Sequence, residues 1–212
     1  APREPTALHT MRLRAVCEAL RASGARSVAD LGCGDGALVH LLLADAAIYR
    51  VVAIDSSLPA LGRLERAVER AALSDGRLTL VHGSFTVAHQ ALKGVEAVVM
   101  VETIEHVEPA RLSGVERNVF GGLRPATVIV TTPNQEFNVL FGMAPGQMRE
   151  PGHRFEWSRH RFRVWAAGVA LRQGYTLKMS GIGNADPHRG SPTQLAEFTR
   201  AATARAVGSA SA

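Results

Sequence analysis

The glycine corner Gly32-Cys33-Gly34-Asp35-Gly36 restricts the fold more than any other stretch of this chain. It directly follows the strand-like segment Ser27–Leu31 and directly precedes the very apolar, helix-like segment Ala37–Ala46. Glycines at a strand-to-helix turn let the backbone reverse tightly and approach a ligand closely. The strand-then-helix order recurs along the chain. A first helix is expected over Thr10–Ser23, stopped by Gly24. Further strands are expected over Arg50–Ile54, Leu78–Val81, Ala97–Val101 and Thr127–Val130, with helices over Leu61–Leu73 and Pro109–Leu123. A late helix, Ser158–Gln173, and a sixth strand, Tyr175–Ser180, complete the pattern. This alternation predicts an α/β fold with a mostly parallel central sheet and helices on both faces. Residues 134–157 show no clear element, and a stretch that long inside a domain is usually functional or mobile.

Two hundred and twelve residues, 46% apolar and 20% charged, suit one domain with a sizeable core. That domain is expected to span residues 1–205, with 206–212 as a flexible tail. The net charge of +5 leans mildly towards a polyanionic partner, although a basic surface with no binding role fits equally well. Cys17 and Cys33 form neither a disulfide framework nor a zinc knuckle, which suits a reduced, cytoplasmic setting. No apolar run reaches 18 residues, so no membrane partner is expected. The start, Ala-Pro-Arg-Glu-Pro, lacks the order of a signal peptide, and the missing initiator Met fits a processed or excised piece.

Asp55 closes the second strand, 21 residues after Gly34. A carboxylate there can accept hydrogen bonds from both hydroxyls of a ribose, so the corner and Asp55 together predict a nucleoside site. The plainer alternative is a tight corner and nothing more. The spacing G-x-G-x-G differs from the G-x-G-x-x-G of dinucleotide binders, which ranks NAD second. The run "DLGCGDG" resembles the first motif of S-adenosylmethionine-dependent methyltransferases, implying their Rossmann-like fold and their cofactor. That resemblance places Asp30, Gly32, Cys33 and Gly34 around the methionine part, Asp55 on the ribose, and Ser84 and Phe85 near the adenine.

The fourth strand ends abruptly in "MVETIEH", three ligand-capable side chains within five positions. If a helix follows Val101, then Glu102, Glu105 and His106 share one of its faces. Two carboxylates and an imidazole beside a ligand crevice can bind a metal, while acids at a helix N-terminus are also favoured without one. A zincin needs two histidines in H-E-x-x-H, and only one is present. A second stretch, "REPGHRFEWS", brings His153 back from the irregular segment, with Arg149, Arg154, Phe155 and Trp157 around it.

Together "VETIEHVEPARLSGVERNVFGGLRPATVIVTTPNQEFNVLF" and "REPGHRFEWSRHRFRVWAAGVALRQGYTLKMSGIG" resemble the small-RNA 3′-terminal ribose 2′-O-methyltransferases, the HUA-enhancer type, nearest to their bacterial RNA-repair branch. The resemblance implies methyl transfer to the 2′-hydroxyl of an RNA 3′ end. It makes Glu102, Glu105, His106 and His153 both the metal ligands and the catalytic set. A mixed carboxylate and imidazole set suits Mn²⁺ better than Mg²⁺. Arg149 and Arg154 are the candidate RNA contacts, with Phe155 or Trp157 available to stack a base or to serve the core. Family resemblance also implies a kinase–phosphatase–ligase partner, a role put in doubt because the separate N-terminal domain of bacterial members is not found in this chain. A small-molecule O-methyltransferase of the same fold and a non-catalytic RNA-binding module are the competing readings.

Overall fold

The computed structural model of the chain describes residues 6–201; the expected domain end at 205 and the tail 206–212 lie outside the described residues. Strand β1 (Ser27–Leu31) is buried at every position, as a strand covered on both faces must be. Its neighbours β2 (Arg50–Asp55) and β4 (Ala97–Val101) pair with it in parallel. Adding β3 (Leu78–His82), β5 (Thr127–Pro133), β6 (Tyr175–Ile182) and β7 (Thr193–Arg200) gives the order β3-β2-β1-β4-β5-β7-β6 among the described residues.

Alternate strand residues serve opposite faces. Val28, Val51, Ala53, Val99 and Ile129 pack with α1 (Thr6–Ser23), α2 (Ala37–Ala44) and α3 (Leu58–Arg70). Ala29, Val52, Val98, Val128 and Val130 pack on the other side with Phe120, Phe162 and Phe198. Phe162 belongs to α5 (Arg159–Gln173), which starts on a Ser158 cap: its hydroxyl accepts from Arg161 N at 3.3 Å. The strand order reverses between β1 and β4, so the crevice outside their carboxyl ends is the natural ligand position.

Three expectations need correction. Strand β7 was not anticipated; it runs antiparallel to both β5 and β6 and separates them. The helix expected over Pro109–Leu123 is broken into a 3-10 turn at Pro109–Arg111, a short α4 (Leu112–Val115) and a π-helical turn at Glu116–Leu123. The wider turn closes through Arg124 N donating to Val119 O at 3.1 Å, and buries Val119 and Phe120 side by side. Residues 134–157 do contain structure: a 3-10 helix at Gln135–Phe141, and a bridge pairing Asn134 with Trp157. No helix of the described residues is long and apolar enough to cross a membrane.

Candidate active site

The glycine corner is fixed by its backbone. Gly32 N and Cys33 N both donate to Ile54 O, at 2.8 and 3.1 Å, tying the turn to the end of β2. Gly32 has φ +79°, and a Cβ there would collide with the Thr103 side chain; glycine is required for both reasons. Asp55 is held from two sides, with Gly34 N donating to Oδ2 at 2.8 Å and Ser57 N to Oδ1 at 2.7 Å. The corner opens on a cleft of about 600 Å³, lined among others by Gly32, Gly34, Asp55, Ser84, Phe85, Glu102, His106 and Arg154. Asp30 and Cys33 do not line it. Both are buried. Burial, and then the Asp55 charge, push the Asp30 carboxyl up to about 7. Burial, reinforced by Asp30 and Asp55, pushes the Cys33 thiol up as well.

The end of β4 departs from the helix anticipated after Val101. Glu102 adopts a left-handed φ of +51°, uncommon for a residue with a side chain. Its N–H is caught by both oxygens of Thr131, O at 3.1 Å and Oγ1 at 3.0 Å. A 3-10 turn at Ile104–His106 follows. The shared helix face therefore does not form. Glu102 instead pairs with Arg12 from α1, Oε2 to Nη2 at 3.2 Å. Glu105 is fully buried; Thr132 Oγ1–H donates to its Oε2 at 3.0 Å, while Oε1 is buried with no hydrogen-bond partner.

His153 reaches Glu105 and His106 by another route. The backbone N–H of Arg154 donates to Glu105 O at 2.7 Å, which docks the returning loop on the 3-10 turn. The His106 and His153 rings then meet edge to face at 4.8 Å between centroids. The ligand atoms of Glu105, His106 and His153 all lie within 4.8 Å of one another. So three of the four expected ligands converge, and Glu102 stands apart on Arg12.

The tautomers follow from the partners. His106 Nδ1 lies 3.1 Å from Gly152 O, and a carbonyl only accepts, so Nδ1 carries the proton. His153 Nδ1 lies 2.6 Å from Glu156 Oε1. Burial alone would raise the Glu156 carboxyl, but hydrogen bonds from His153, Asn138 and the Arg149 amide outweigh it and hold it below the usual range. It is thus an ionised acceptor, and His153 Nδ1 is also the donor. With Nδ1 committed in both rings, Nε2 is the nitrogen left to face a ligand. Desolvation and the neighbouring His153 ring hold His106 below its ordinary pKa, so near neutral pH it offers a lone pair. Burial, and then the Glu102 charge, raise Glu105 well above the ordinary carboxyl range. A buried carboxylate oxygen without a partner, beside two imidazoles with Nε2 left to face a ligand, is a donor set that a divalent cation fits.

The two arginines differ. Arg154 is exposed at the cleft, with Nε 3.1 Å from Glu108 Oε1. Arg149, expected at an RNA phosphate, is buried: its Nε donates to Asn138 Oδ1 at 2.8 Å, and its Nη2 to Asn134 O and Pro192 O at 2.9 and 2.8 Å. Trp157 is core, stacked by Phe155 at 4.3 Å between ring centroids. Arg12, Thr132, Asn138 and Glu156 were not singled out from the sequence. Only Glu156 left a trace there, three residues after His153.

Residues 28–126 match the family model described as a methyltransferase domain. A small RNA 2′-O-methyltransferase of Xenopus tropicalis is 37% identical over 187 residues, 82% of this chain and 50% of that protein. The chain spans about half the length of the curated relatives it matches first. Among solved structures, the methyltransferase domain of bacterial CtHen1-CN is 36% identical and superposes with a TM-score of 0.82, covering 91% of this chain and 99% of that one. A chain of the Pnkp1/Rnl/Hen1 RNA repair complex, 21% identical, shares the fold with a TM-score of 0.68 over 93% of this chain and 42% of that one.

Proposed function

The chain belongs to the family of Hen1 methyltransferase domains, and from that premise we propose that it methylates the 2′-hydroxyl of the 3′-terminal nucleotide of RNA, using S-adenosylmethionine and a divalent cation. The observation that carries this reading is the meeting of Glu105, His106 and His153 within 4.8 Å, with His106 among the residues that line the same cleft as Asp55 and the glycine corner.

Asp55 is oriented by its two backbone donors, and its remaining lone pairs accept from the ribose hydroxyls of the cofactor. Gly32 and Gly34 leave backbone exposed beside the methionine part, and Ser84 and Phe85 flank the adenine. S-adenosylmethionine supplies an electrophilic methyl group. Glu105, His106 and His153 hold the cation, and Glu102, which lines the same cleft, is the fourth residue of the proposed set. When bound, such an ion acidifies and orients a hydroxyl that touches it. The mixed oxygen and nitrogen donors favour Mn²⁺ over Mg²⁺. Two oriented groups in one cleft convert much of the barrier into a positioning problem that the fold has already solved. Arg154 at the rim is suited to a phosphate. An RNA-repair kinase–phosphatase–ligase is the proposed partner, in keeping with the repair complex that contains a chain of the same fold.

The test is methyl transfer to short RNAs with matched 2′-deoxy and 3′-deoxy ends, with and without Mn²⁺. The expected product resists periodate because its vicinal diol is gone, and the 2′-deoxy RNA accepts no methyl group. Transfer that persists undiminished in excess chelator refutes the metal reading. Transfer to small metabolites but not to RNA refutes the substrate.

A further inference from the structure

Behind His153 lies a buried polar unit. Glu156 Oε1 accepts from both His153 Nδ1 and Arg149 N, each at 2.6 Å, and its Oε2 accepts from Asn138 Nδ2 at 2.5 Å. Asn138 in turn accepts from Arg149 Nε at 2.8 Å through its own carbonyl oxygen. All four residues are buried, Glu156 at 6% exposed and Asn138 at 4%. They come from one excursion of the chain, and of the four it is His153 whose ring belongs to the cation cluster.

Placing an ionised carboxylate here carries a cost that packing alone does not explain, since an apolar or amide side chain would fill the space without burying charge. A carboxylate on the far nitrogen of a ligating histidine has a specific effect: it fixes the tautomer, locks the ring plane and makes the other nitrogen a stronger donor. Asn138 and the Arg149 amide occupy two further acceptor positions, one on each oxygen, and so fix the orientation in which the carboxylate meets His153. We infer that Glu156 is a positioning residue of the cation site, an anionic anchor clamped by Asn138 and Arg149 whose task is to present His153 Nε2 as a committed ligand. This rests on the metal reading above and deepens it.

The discriminating experiment moves the charge within the unit. Glu156→Gln keeps an oxygen for His153 but removes the charge, and sets its amide nitrogen against that of Asn138. Adding Asn138→Asp returns a carboxylate to the cluster, next to Arg149 and one residue removed from His153. Mn²⁺ affinity is read by electron paramagnetic resonance, and folding by the thermal midpoint. Glu156→Gln is expected to weaken Mn²⁺ binding by about ten- to a hundredfold. The double variant is expected to recover the thermal midpoint but not the affinity. Affinity within twofold of the unaltered chain in Glu156→Gln, or recovered by the double variant, overturns the inference alone. No Mn²⁺ binding by the unaltered chain overturns the inference and the metal reading together. Should either variant fail to fold, ¹⁵N resonances of the unaltered chain decide. A proton on His153 Nδ1 is the expected state; a proton on Nε2 overturns the assignment.

Discussion

On the proposed metal reading, Glu105 should tie the stability of the chain to both pH and cation, and Glu105→Gln separates the two. Its carboxyl is raised above its ordinary value near 4.5, first by burial and then by the Glu102 charge. A raised folded-state pKa means that the folded chain holds this proton more tightly than the unfolded one. The stability it contributes is fully present below the unfolded value and is lost as pH rises through the folded one. Within that window the metal-free chain should lose about 1.4 kcal/mol per pH unit for this one proton. At roughly 2–4 °C per kcal/mol for a domain of this size, the midpoint should drop by about 3–6 °C per unit. Asp30, raised to about 7, acts with the same sign, but it is common to both chains, so the difference curve isolates Glu105. Mn²⁺ takes over from the proton, so the metal-induced gain should grow with pH. At a hundred times its dissociation constant that gain is about 2.7 kcal/mol, or roughly 5–11 °C. Thermal scans from pH 5 to 8, in chelator and in Mn²⁺, measure both. Glu105→Gln should flatten the first curve and abolish the second effect. Parallel curves for the two chains in chelator, or a metal gain that survives the substitution, would refute the reasoning.

Other substitutions probe the remaining parts. Gly32→Ala meets a φ of +79° and the Thr103 side chain, so a loss of about 1–2 kcal/mol for the left-handed backbone and about 1–3 kcal/mol for overpacking is expected, with cofactor binding lost by calorimetry. Asp55→Ala removes the acceptor of two backbone N–H groups and, on the proposed reading, of the ribose hydroxyls; cofactor affinity should then fall at least tenfold, at about 1.5–3 kcal/mol per charged hydrogen bond, while Mn²⁺ affinity stays unchanged. Arg149→Met should cost about 3–5 kcal/mol in denaturant titration, because it strips a buried cation from its partners, and should leave the salt dependence of RNA binding alone. Arg154→Gln should do the reverse, leaving stability within about 0.5 kcal/mol and reducing the salt slope by about one; a salt slope that responds only to Arg149 would invert the assignment.

Local chemistry made part of the site legible. The glycine corner and Asp55 follow from strand ends, which apolar runs mark, while Ser84 and Phe85 were implied by the methyltransferase resemblance; Gly32, Gly34, Asp55, Ser84 and Phe85 all line one cleft. Histidine at a turn signal similarly pointed to His153. What escaped depends on long-range or conformational detail. Strand β7 carries Gln194 and Glu197 among its apolar residues, and its Gln194 side chain is spent on Pro133 O and Trp157 O, far away in sequence. Glu102 is not on a shared helix face with Glu105 and His106, because a left-handed corner whose N–H is held by Thr131 takes the place of a helix. Arg149 is a surface residue by type. Its burial is supported by acceptors on Asn138, Asn134 and Pro192 and by the Phe141 ring beside its guanidinium, and no spacing rule announces that.

The excursion that carries His153 is stitched shut where it leaves the sheet. Gln135 N donates to Trp157 O at 3.2 Å, Asn134 N to Pro192 O at 2.9 Å, and the Asn134 amide to Arg189 O and Ser191 O. Its far end, from Gly142 to Gln147, is exposed apart from Met143. The tip still touches the clamp behind the histidine at two points, with Asn138 Nδ2 donating to Gln147 O at 3.3 Å and Met143 N to Asn138 O at 3.3 Å, so only the residues between those points can be lengthened without pulling on it. Each doubling of the tip costs only about 0.6 kcal/mol of closure entropy. That makes the exposed pair 145–146 the natural graft site on this scaffold, a place to add a reporter or a binding peptide.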